Sequence, residues 1–72
     1  MTDVVDSDEL LRRLQRARAY ARDEERTWRD RRDALRPTDP GESREAAVRV
    51  LAYEAVVRVL DEILTPGKRA GK

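Results

Sequence analysis

Apolar positions along the chain fall into two helical registers separated by a single cluster of helix breakers. In the first half, Leu10, Leu14, Ala17, Ala21, Trp28 and Leu35 recur at spacings of three, four or seven. At about 100° per residue they form one stripe about 60° wide, as expected of an amphipathic helix with a narrow buried seam. Glu24 and Arg31 fall in the same stripe and interrupt it. The second half is far more apolar: 14 of 19 positions from Ala46 to Leu64, against 10 of 29 from Ser7 to Leu35.

The ends of both helices are written in the sequence. Asp6 is placed to cap the first helix, Glu9 stands at the capping-box position, and Val5 precedes the cap where it can staple onto Leu10. Arg36-Pro37 ends that helix, because the residue before proline is pushed away from the α region. Pro37-Thr38-Asp39-Pro40-Gly41-Glu42 then combines a turn with a new start, Asp39 capping and Pro40 sitting in the first turn. Thr65-Pro66-Gly67 stops the second helix. The expected layout is one domain over residues 1–66, with helices at 7–35 and 41–64, a turn at 36–40, and an unstructured basic tail at 67–72. A link this short makes the helices antiparallel neighbours, so the expected fold class is all-α, an antiparallel two-helix hairpin.

The second helix has two apolar bands rather than one. Val48-Arg49-Val50-Leu51 returns nine residues later as Val57-Arg58-Val59-Leu60, and nine residues place the copies on opposite sides of a helix. One band runs through Ala55, Val48, Val59, Ala52, Ile63 and Val56; the other through Leu60, Tyr53, Ala46, Leu64, Val57 and Val50. Together they cover roughly 220° of the girth, more than a stripe about 60° wide can shelter. The expected solution assigns Val48, Ala52, Val56, Val59 and Ile63 to the intra-hairpin seam with the first-helix stripe. Ala46, Val50, Tyr53, Val57, Leu60 and Leu64 are left for self-association, giving a homodimeric four-helix bundle.

Charge and composition narrow the function. The net charge of +1 conceals segregation: residues 11–36 carry ten Arg against five acids, whereas the first ten residues carry four acids and no base. Arg18, Arg22, Arg26, Arg29, Arg32 and Arg36 lie on one sector about 120° wide, a face suited to an anionic partner or to a phosphate backbone. Nearby carboxylates and the acidic second helix favour a salt-bridged, solvated face, and no helix-turn-helix, zinc-finger or RNA-recognition pattern accompanies it. The chain has no Cys and no His, which removes thiol nucleophiles, imidazole acid–base chemistry and Cys/His metal sites. No Gly-rich phosphate loop is present, and Ser7 and Ser43 are explained by helix starts.

The expectation is therefore a non-enzymatic protein without cofactor, metal or catalytic residues, acting as a homodimeric interaction module: an adaptor, inhibitor or assembly subunit. Nucleic-acid binding through the Arg stripe and the basic tail is the alternative. The acidic N-terminus and the absence of any long apolar run predict a cytoplasmic protein without a membrane span. Fourteen Arg against two Lys fit a GC-rich bacterial or phage genome.

Overall fold

The computed structural model describes residues 6–65, and over them the chain is two helices, α1 (Ser7–Leu35) and α2 (Pro40–Leu64), packed antiparallel. No strand occurs among the described residues. The expected Val5 staple and basic tail lie outside the described residues.

Both start signals act as read. Asp6 accepts a hydrogen bond from the Glu9 N–H at 2.7 Å, and Asp39 accepts one from the Glu42 N–H at 3.1 Å. Each satisfies a backbone donor that has no partner within its helix. The reciprocal half of the capping box is replaced: the Glu9 carboxylate binds Arg12 at 3.1 Å and Arg13 at 3.0 Å.

The end of α1 corrects one expectation. Arg36 stays in the α region, with φ −52° and ψ −46°, although proline follows it. The helix ends instead because Pro37 has no N–H to give to the carbonyl four residues back. The next two N–H groups, of Thr38 and Asp39, both turn back to the Leu35 carbonyl, at 3.1 and 2.7 Å. That fold-back is the whole connection, and α2 begins at Pro40, one residue earlier than expected.

The interior is narrow and built from small side chains. Ala21 of α1 and Ala46, Val50 and Val57 of α2 are buried, as is Ser43. Ala46, at 1% exposed, and Ala21, at 2%, have no side chain beyond Cβ, so the backbones approach closely. Leu14, Trp28 and Leu35 of α1 and Tyr53, Leu60 and Leu64 of α2 are half-buried along the same seam.

The two bands of α2 thereby exchange the roles expected of them. Ala46, Val50 and Val57, assigned to self-association, are buried against α1, and Tyr53, Leu60 and Leu64 flank them. Val48, Ala52, Val56, Val59 and Ile63, assigned to the intra-hairpin seam, are exposed on the outside. The charged neighbours of the bands decide this. Glu54 and Asp61 share the face of Val50 and Val57 at spacings of four, three and four, and that face sets them against Arg29 and Arg18 of α1. Leu10 and Ala17 of the predicted stripe are also exposed. Leu10 sits in the first turn of α1, opposite the end of α2, and Ala17 lies at the edge of the stripe.

Candidate interaction surface

Polar and aromatic contacts fasten the hairpin along both edges of its seam. On one edge the Arg18 guanidinium donates to the Asp61 carboxylate, and Arg29 lies 3.5 Å from Glu54 while also holding Glu25 of its own helix. On the other edge, Tyr20 and Tyr53 meet edge to face, with ring centroids 6.5 Å apart. The Trp28 ring is covered by the Arg49 guanidinium at 4.7 Å and by Arg31 at 5.6 Å. Such stacking desolvates the ring while leaving each cation partly in water. At the closed end the Ser43 hydroxyl donates to the Arg32 carbonyl at 2.9 Å. No side-chain polar atom is buried without a partner among the described residues.

Most of the Arg stripe is thus already engaged. Arg18 pairs with Asp61, Arg26 with Asp23, Arg29 with Glu25 and Glu54, and Arg32 and Arg36 with Asp33. Of the six, Arg22 alone forms no ion pair within 4.0 Å among the described residues. The Arg32 hydrogen bond, reinforced by the charges of Arg36 and Arg29, holds the Asp33 carboxyl below its ordinary range. Hydrogen bonds from Arg13 and Arg12, with Arg16 nearby, do the same for Glu9. The Tyr20 phenol is raised, chiefly by the Glu24 carboxylate beside it. Sequence reasoning placed Glu24 and Arg31 in the seam. They lie at its edge, where Arg31 stacks on Trp28. Sequence reasoning missed Arg49, the second cation on that ring.

The surface with no internal purpose is the outer side of α2. Val48, Leu51, Val56, Val59 and Ile63 are 45% to 65% exposed, and Ala52 and Ala55 lie exposed among them. Ala55 and Val59, four residues apart, form a ridge with an open groove on each side. One groove is lined by Ala55, Arg58, Val59, Glu62 and Ile63, the other by Ala55, Val56, Val59 and Leu60. A ridge between grooves is the geometry by which one helix receives another. Among the described residues no group of carboxylates is placed to hold a metal ion, and no helix is long and apolar enough to cross a membrane. The chain matches no protein-family model, no curated protein and no solved structure.

Proposed function

We propose that the chain is a small non-enzymatic interaction module, an adaptor, inhibitor or assembly subunit, that works as a homodimer through the outer face of α2. The observation that supports this is the exposed row of Val48, Leu51, Val56, Val59 and Ile63, on the side of α2 turned away from α1. Their fractional exposures together amount to nearly three whole apolar side chains left wet per copy. Because a two-fold contact covers the same face twice, complete burial in a dimer is worth about 8 to 17 kcal/mol gross, at roughly 1.5 to 3 kcal/mol per side chain. Association costs roughly 4 to 15 kcal/mol, so a second copy is an occupant the face can sustain. The assembly is four helices with the two α2 in the middle and the two α1 outermost.

The Arg stripe gives weaker support to nucleic-acid binding, since five of its six members already meet carboxylates. Sedimentation equilibrium tests the proposal. The chain should sediment as a dimer, and Val59→Asp should give a monomer of unchanged helicity, because Val59 is 60% exposed in the hairpin. A wild-type chain that stays monomeric up to high concentration refutes it.

A further inference from the structure

We infer that the two α2 helices pair antiparallel, about a two-fold axis passing between Tyr53 and Glu54, with Ala52 and Ala55 at the crossing point and Arg44 of each copy bound to Glu62 of the other. This inference rests on the homodimer proposed above and specifies its geometry.

The first observation is a palindrome on the outer face. Read at spacings of three and four, the face runs Glu45, Val48, Ala52, Ala55, Val59, Glu62, the same residues in either direction. These spacings are those of a helix-pairing seam. Turned end over end, such a face meets itself with Val48 against Val59 of the second copy and Ala52 against Ala55. The smallest side chains, exposed in the hairpin, then lie where the helices cross and permit close approach. The Ala55–Val59 ridge of each copy faces the grooves that flank the same ridge in the other.

The second observation is charge, which selects the direction. Arg44 and Glu62 are eighteen residues apart, five full helical turns, so they lie on the same flank at opposite ends of the seam. A two-fold axis perpendicular to the helices brings like flanks together with their ends exchanged, so Arg44 of each copy meets Glu62 of the other. A parallel pair instead sets opposite flanks side by side at equal height, which leaves Glu62 beside Ile63 of the second copy. Neither Arg44 nor Glu62 has an ion-pair partner within 4.0 Å among the described residues, whereas Glu54 and Asp61, on the face toward α1, both do. Glu45 also comes to each end of the pair. On its flank it lies beside Ile63 of the second copy, and Arg49, one turn along its own helix, offsets its charge. Antiparallel pairing further sets the two helix dipoles head to tail.

The chain contains no cysteine, so single cysteines report the geometry directly. Val48 and Val59 are eleven residues apart, so in the antiparallel pair each lies about 16 Å along the axis from its own counterpart, beyond the reach of a disulfide. Under mild oxidation, Val48→Cys alone and Val59→Cys alone should stay uncrosslinked, an equimolar mixture of the two should form the mixed disulfide dimer, and Ala55→Cys should crosslink to itself. Arg44→Glu or Glu62→Arg should each weaken the dimer about threefold to twentyfold, and the double reversal should restore it, since each change breaks both symmetry-related pairs and one surface pair is worth up to about fivefold. Self-crosslinking of Val48→Cys, or a dimer in which the mixture does not crosslink, overturns the antiparallel geometry while leaving the homodimer standing. A wild-type monomer by sedimentation overturns both.

Discussion

Truncating one valine on each side of α2 separates the buried face from the outer one. Val50 is 3% exposed, and Val50→Ala removes two carbons from the closed seam. At about 0.8 kcal/mol per buried carbon, with up to about 1 kcal/mol for the space left and about 0.5 kcal/mol returned by the better helix propensity of alanine, the net loss is about 2 kcal/mol. Val59 is 60% exposed, so the same truncation in a monomeric hairpin forfeits about 0.6 kcal/mol of burial, which the propensity gain nearly cancels. Urea unfolding followed by far-ultraviolet circular dichroism, at a concentration where the chain is monomeric, should therefore lower the midpoint for Val50→Ala and leave it unchanged for Val59→Ala. Raised to a concentration where the dimer forms, the wild type gains stability by mass action, and Val59→Ala should then fall behind it. Equal losses for the two variants in the dilute regime would show that α1 does not choose between the bands, and the face assignment would fail.

Four further outcomes are expected. Ser43→Ala should cost about 1 kcal/mol in the same unfolding assay and no more, because the Arg32 carbonyl keeps its helical bond from the Arg36 N–H at 3.1 Å and is not orphaned. Asp39→Ala should cost about 1 kcal/mol through loss of the α2 cap, and Asp39→Asn should recover most of it. A double-mutant cycle on Arg18 and Asp61 should return a coupling of about 0.5 to 1 kcal/mol that shrinks in high salt, the pair being half-exposed; a coupling indifferent to salt contradicts an electrostatic origin. Glu9 and Asp33 are held below their ordinary ranges by arginine hydrogen bonds, so folding favours their ionised forms. The stability they contribute is present above the unfolded carboxylate range and lost as pH falls through the depressed values, and Glu9→Gln should flatten the acid limb of an ellipticity titration.

How far the sequence reaches is clearest at the helix ends. Asp6 and Asp39 cap, Pro37 stops and Pro40 starts, because each acts through its own backbone and its nearest neighbours. Ser7–Leu35 and Pro40–Leu64 are therefore local decisions, and so is the antiparallel hairpin, since a four-residue link leaves no other arrangement. Periodicity also located both apolar bands of α2 correctly. It did not say which one α1 would take, because two bands of similar hydrophobicity are equivalent to a measure that counts only apolar positions.

Packing in three dimensions made that choice. The closed face is the one whose neighbours complement α1: Glu54 and Asp61 reach Arg29 and Arg18, Arg49 covers Trp28, and Tyr53 meets Tyr20. The signal lay in the flanking charges rather than in the hydrophobic pattern, at Glu54 and Asp61 in register with Val50 and Val57. Sequence alone therefore determined that α2 carries more apolar surface than one partner can hide. Only the tertiary structure decided which part stays outside, because that depends on contacts between residues some 20 to 43 positions apart, which no local pattern contains.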